Sequence, residues 1–134
     1  MTSKFRGTCT VMVTAFDAEG GLDLEAQARF TDWQVRKGIH GLIPLGSTGE
    51  FLSLTAEERR AVAKCVIDTV AGRVPGLVGA GDESTDDVID NVRMAEELGA
   101  DGTMIIPPFY STPTWGELIH HFGRIGEVAT RPVM

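Results

Sequence analysis

Two hydroxyl side chains set between glycines, in Gly46-Ser47-Thr48-Gly49-Glu50, are the densest concentration of chemistry in this sequence. Flanking glycines let the backbone approach a ligand closely, and successive N–H groups in such a turn form a concavity suited to an anion. A carboxylate or a phosphate fits that site. The pattern has neither the lysine of a P-loop nor the spacing of a dinucleotide fingerprint, so nucleotide binding is disfavoured. Composition alone is equally satisfied by a glycine-rich turn with polar filler. A second candidate is Tyr110, the only tyrosine, within Pro107-Pro108-Phe109-Tyr110-Ser111-Thr112-Pro113. A phenol there can relay a proton, but taken alone it reads more readily as an aromatic packed under a loop.

The remaining candidates are weaker. Asp82, Glu83, Asp86 and Asp87 suggest a metal site, yet Asp86 and Asp87 fall in a helix's first turn, where the dipole favours negative charge; no metal is expected. His120-His121 lacks the HExxH context, and adjacent helix positions diverge, which describes a solvated or rim pair. His40 is an ordinary loop residue by context, and Trp33 and Trp115 read as packing or interface aromatics. Cys9 and Cys65 form no CxxC pair and are expected to be reduced thiols of a cytoplasmic protein.

These side chains need a scaffold, and its periodicity is readable. Short apolar runs at 8–16, 41–45, 76–79, 103–106 and the final 133–134 are strand-sized and bounded by Gly or Pro. Between them lie four helical segments with recognisable starts: Asp23 as an N-cap before Leu24, Ala28 and Val35; Thr55 with Glu58; Ser84 with Asp87; and Thr114 with Glu117. Strand starts near 8, 41, 76, 103 and 133 repeat at 27 to 35 residues, the length of a strand plus its crossover helix, so the strands are parallel. Apolar runs without polar alternation suit strands covered on both faces. Two α/β architectures follow. One is the first four βα units of a (β/α)8 TIM barrel plus the start of strand five, residues 1–134 forming one domain; the other is an open, five-stranded, doubly wound parallel sheet. Both gather functional groups at the carboxyl ends of the strands. In the barrel reading Val11, Val13, Ile43, Val78 and Ile105 face the axis.

Composition bounds the partners. The chain has 134 residues, 43% hydrophobic and 23% charged, with a net charge of −7, which describes a globular domain or part of one. The negative charge disfavours nucleic acid and anionic membranes as partners. No stretch approaches the ~20 apolar residues of a membrane span. Lys4 and Arg6 ahead of an apolar run superficially copy a secretory leader, but the run ends in Asp17-Ala18-Glu19-Gly20-Gly21 and reads as a strand and a turn.

Taken together, Gly46-Ser47-Thr48-Gly49-Glu50, the later Pro107-Pro108-Phe109-Tyr110 with Pro113, the opening Thr14-Ala15-Phe16-Asp17 with Gly20, and Gly79-Ala80-Gly81 resemble the dihydrodipicolinate synthase and N-acetylneuraminate lyase family of class I aldolases. The resemblance covers the whole chain. It implies a TIM barrel lyase in which a lysine on strand six forms a Schiff base with pyruvate or a related 2-keto acid, without a cofactor. It places the keto acid's carboxylate on Ser47 and Thr48, and gives Ser47 a share in a proton relay with the tyrosine of a Tyr-Asn-x-Pro motif on strand five. Tyr110 completes that relay from a neighbouring subunit, which implies a homo-oligomer, a dimer or tetramer. Lys4, Lys37 and Lys64 do not match the Schiff-base position, so the chain is expected to be an amino-terminal part and inactive alone. A non-catalytic 2-keto acid binding or assembly module is the alternative. Thr14-Ala15-Phe16 stands where the family frequently has Thr-Pro-Phe.

Overall fold

The computed structural model describes residues 5–134; Lys4 lies outside them. Four strands alternate with four helices: β1 (Cys9–Val11), α1 (Leu24–Arg36), β2 (Gly41–Ile43), α2 (Ala56–Val70), β3 (Leu77–Gly79), α3 (Thr85–Glu97), β4 (Gly102–Met104) and α4 (Trp115–Val128). The expected starts hold. The Asp23 carboxylate accepts the Ala26 N–H at 2.8 Å, and Thr55/Glu58 and Thr114/Glu117 form complete capping boxes.

Both strand pairings are parallel, β1 with β2 and β3 with β4. A bridge from Leu42 to Gly76 joins β2 to β3, and one from Thr103 to Val133 continues from β4 to the start of a fifth strand. Adjacency therefore follows sequence order, β1-β2-β3-β4 and then residue 133. An open doubly wound sheet requires that order to reverse mid-sheet, and it does not. This is the sequential wall of a barrel, laid down one βα unit at a time.

The helices cover the outer face in three apolar clusters, one around Met12, Leu42, Val66 and Val70, one around Leu45, Phe51, Val62 and Val78, and one around Val88, Val92, Ile105 and Ile125. Val78 and Ile105 thus face the helices, not the axis. The inner face instead brings Val11 and Met104 together at Gly46, sets Leu77 against Gly102 and sets Ile106 against Gly81. The error is a one-residue slip in two strands whose apolar runs show no alternation to fix it.

Helix α1 departs further from its pattern. Its buried residues are polar, Gln27, Thr31 and Gln34, while Leu24 is exposed. Gln27 Oε1 accepts the Ala15 N–H at 2.8 Å and its Nε2 donates to the Val13 carbonyl at 3.3 Å. The backbone leaving β1 has lost its ladder partners there, and buried amide groups must find others. Gln27 supplies both a donor and an acceptor, which Leu24, Ala28 or Val35 could not.

Candidate functional site

The segment after β2 turns within two residues. Leu45 has φ 61° and Glu50 φ 55°, so left-handed non-glycine residues stand at both ends of the turn Ser47–Gly49. Such conformations cost on the order of 1–3 kcal/mol each and persist only where the surroundings over-determine them. Packing does so here. Leu45 and Phe51 are buried with Leu54 and Val62, and the Thr14 hydroxyl donates to the Gly49 carbonyl at 2.7 Å. A Cβ on Gly49 would stand 2.9 Å from the Met12 carbonyl oxygen, and one on Gly79 only 2.1 Å from that of Leu45. The left-handed bend thus presses the chain against β3, and only glycine leaves room for it.

Ser47 then lines a crevice at the carboxyl ends of β2, β3 and β4 with Gly46, Gly79, Gly81, Met104 and Ile106. Ser47 and Thr48 are exposed, and neither hydroxyl is hydrogen-bonded among the described residues. The Gly49 and Glu50 amides close the turn on the Gly46 and Ser47 carbonyls at 2.9 and 3.1 Å. That leaves the Ser47 and Thr48 amides at the start of the turn, where a helical segment has no internal acceptor to offer.

Tyr110 stands apart from this crevice, 92% exposed in the loop after β4. It is not the packed aromatic that its context suggested. Its neighbour Phe109 does the packing, edge-on to Phe51 with ring centroids 6.0 Å apart. The loop's backbone is gathered by Glu83, which accepts the Phe109 and Tyr110 amides on Oε1 at 2.6 and 2.7 Å and the Ser111 amide on Oε2 at 3.3 Å. These bonds, the one from Tyr110 foremost, hold the Glu83 carboxyl below the usual glutamate range. Asp82 pairs with Arg59 at 2.8 Å, and no group of side chains suited to a metal ion occurs among the described residues.

His121 corrects another expectation. It is 4% exposed, not at a rim, with Nδ1 2.8 Å from the Thr85 hydroxyl and Nε2 without a partner among the described residues. Burial pushes its pKa below the ordinary histidine value. His40 Nδ1 accepts the Thr8 N–H at 3.0 Å, Trp33 stacks on Phe30, and both cysteines are free thiols. No helix among the described residues is long and apolar enough to cross a membrane.

Arg59 was missed by sequence reasoning, and Glu83 was weighed only as part of a metal site, not as the anchor of the loop after β4. Their partners lie 23 and 26 residues away, and nothing in the local pattern announces them. Thr14 carried a signal only as part of the opening motif.

A model of the dihydrodipicolinate synthetase family matches residues 4–134. The 4-hydroxy-tetrahydrodipicolinate synthase of Gluconacetobacter diazotrophicus is 37% identical over 133 residues, 99% of this chain and 45% of the relative. That of Nitrobacter hamburgensis is 39% identical over 132 residues, 98% of this chain and 44% of its own length. Among solved structures, YagE, a prophage protein of E. coli K12 in complex with pyruvate, superposes with a TM-score of 0.94 at 39% identity, covering 98% of this chain and 44% of YagE. A dihydrodipicolinate synthase from Acinetobacter baumannii complexed with pyruvate gives 0.92 at 31% identity, covering 95% of this chain and 44% of that one. The chain spans less than half the length of the curated relatives it matches. It therefore aligns with four βα units and the start of a fifth strand of those barrels, and it belongs to the dihydrodipicolinate synthetase family.

Proposed function

We propose that residues 1–134 are the amino-terminal part of a pyruvate-type Schiff-base lyase, contributing the carboxylate site and one relay phenol. The observation that carries this reading is Ser47 at the carboxyl ends of three adjacent strands, its hydroxyl unengaged among the described residues, in a fold shared with two proteins solved with pyruvate. Ser47 and Thr48, through hydroxyls and amides, hold the carboxylate of a small 2-keto acid such as pyruvate. When the lysine amine condenses with the ketone carbon, a C=N bond forms and one water leaves, which requires a proton at the departing oxygen. Ser47 passes that proton along a relay. Tyr110, exposed and not lining its own crevice, serves the site of a neighbouring subunit in a homo-oligomer, a dimer or tetramer acting in the cytoplasm.

The lysines described here support assigning the nucleophile to the remainder of the barrel. Lys37 caps the end of α1, and Lys64 lies on α2 paired with Asp68; neither approaches the carboxyl ends of the strands. A test is to mix this chain with the carboxyl-terminal half of a matched synthase and reduce with borohydride in the presence of pyruvate. The expected result is a covalent pyruvate adduct on the added half only when this chain is present, and a slower one with Ser47→Ala. Adduct formation indifferent to this chain would refute the reading. Pyruvate-dependent shifts of the Ser47 and Thr48 amides, with no adduct in the mixture, would favour the binding-module alternative.

A further inference from the structure

The loop carrying Tyr110 has no strand or helix of its own between β4 and α4. Three consecutive amides, those of Phe109, Tyr110 and Ser111, converge on the single carboxylate of Glu83. An anion set in a run of backbone N–H groups fixes the φ and ψ angles of that run as a bound phosphate would. The adjacent residue holds the opposite side. Asp82 Oδ2 takes Arg59 Nη1 at 2.8 Å, and its Oδ1 accepts the Glu83 N–H at 2.8 Å. Arg59 Nε in turn donates to the Phe51 carbonyl at 3.0 Å and, more weakly, to that of Leu54 at 3.3 Å. Its guanidinium lies 5.5 Å from the centre of the Phe51 ring, against which Phe109 packs. The circuit closes. It runs from the segment after Ser47 through Arg59, Asp82 and Glu83 to the Tyr110 loop, and back through the two phenylalanines.

We propose that Glu83 is a positioning residue for Tyr110, and that the Asp82-Glu83 pair is a strut setting the loop after β4 relative to the loop after β2. Its catalytic consequence rests on the reading of Tyr110 as a relay phenol, whereas the strut itself does not. The acidic pair that suggested a metal site has its oxygens committed to N–H donors of the protein. A shorter side chain would not reach three amides, and a neutral amide in its place presents one acceptor where the carboxylate presents two. Glu83 does not line the crevice at Ser47, and it holds the loop through the backbone amides of Phe109 and Tyr110 and through Ser111.

Amide hydrogen exchange of this chain, followed by NMR, tests the strut without any activity. With Glu83→Gln, exchange at Phe109, Tyr110 and Ser111 should accelerate about tenfold or more, because these amides lose their acceptor, while Val78 and Thr103 in the strands keep their protection. Unchanged exchange at 109–111, or an equal rise throughout, would overturn the proposal. If that variant does not fold, the unmutated chain decides. The Phe109 and Tyr110 amide resonances should follow a single carboxylate titration below the ordinary glutamate range, assigned to Glu83 among its neighbours Asp82, Glu117, His120 and His121 by following the Glu83 side-chain resonances themselves; no such titration overturns it. In the complemented barrel, Glu83→Gln should lower kcat about tenfold with KM for pyruvate unchanged, since the carboxylate site is on the other loop. A raised KM with kcat intact would refute the positioning role. Failure of complementation would count against the lyase reading and leave the exchange result to decide the strut.

Discussion

The loops after β2 and β4 carry the two kinds of candidate chemistry, and they are held in opposite ways. The first is fixed from beneath. Leu45 and Phe51 are buried, the Leu45 carbonyl lies against Gly79, and Thr14 grips Gly49 from the end of β1. The second is fixed from outside by one half-buried carboxylate and the edge of one aromatic ring. Buried packing cannot be altered locally without disturbing the core, whereas exposed hydrogen bonds can be lost one loop at a time. A site that must hold a small anion benefits from the first arrangement. On the proposed reading, a phenol serving another subunit benefits from the second.

That contrast predicts where substitutions unfold the chain and where they only loosen it. The largest effect is expected at Gly79. A Cβ there would stand 2.1 Å from a backbone oxygen, and neither β3 nor the Leu45 bend can move without displacing buried neighbours. Gly79→Ala should destabilise by about 3 kcal/mol, at or beyond the upper end of ordinary overpacking. Urea denaturation measures it, and a loss below about 1 kcal/mol would show that the loop after β2 is compliant. Next comes Thr14→Val, which keeps the shape but leaves the buried Gly49 carbonyl without the hydroxyl proton, for an expected loss of about 1–3 kcal/mol. Glu83→Gln is the counterpart, and should leave the global midpoint nearly unmoved. A Thr14→Val variant as stable as the parent would erase the difference between the two loops.

The sequence made the scaffold legible and the fastening only partly so. Capping boxes at Thr55 and Thr114 and the strand-helix repeat are local patterns, written within a few residues, and the structure contains them. The Gly-Ser-Thr-Gly turn was visible because glycine and hydroxyl residues cluster there. What holds it was not, since Thr14 lies 35 residues from Gly49, and Gln27, which bonds the backbone on either side of Thr14, sits on a helix whose apolar residues drew attention to another face. Val78 and Ile105 show the same limit. A strand buried on both sides carries no alternation from which to read its facing. Tyr110 was legible as chemistry and illegible as placement.

A smaller, pH-dependent effect separates the two loops again, because His121 packs beside the Tyr110 loop, lining one crevice with Pro108 and Ser111. Burial lowers its pKa, so the folded state keeps it neutral while the unfolded chain takes up a proton near the ordinary value of about 6.5. The unfolded state then binds more protons, and stability rises with pH through that window. It is fully present above the unfolded pKa and is lost as pH falls from there toward the depressed folded value. Thermal midpoints measured between neutral and mildly acid pH should fall with acidification, and His121→Phe should remove that part of the slope. An unaltered slope in the variant would assign it to other groups.

The last expected effect is a modest gain, and it serves as a reference for the others. Gly123 lies on the exposed side of α4 with no heavy atom beyond its chain neighbours and its own helix backbone within 4 Å of where a Cβ would stand, and its φ is not in the left-handed region. A glycine in a helix interior costs roughly 0.5–1 kcal/mol relative to alanine, through the backbone freedom it loses on folding. Gly123→Ala should therefore raise stability by about that amount, acting on the unfolded chain and touching neither loop. The comparison is sharpened if global stability rises while exchange at 109–111 stays as in the parent, because those amides would then be opening locally and independently of unfolding. If their exchange slows in proportion to the stability gained, the Tyr110 loop opens only when the whole chain does. In that case the two loops would differ in what holds them but not in how they come apart.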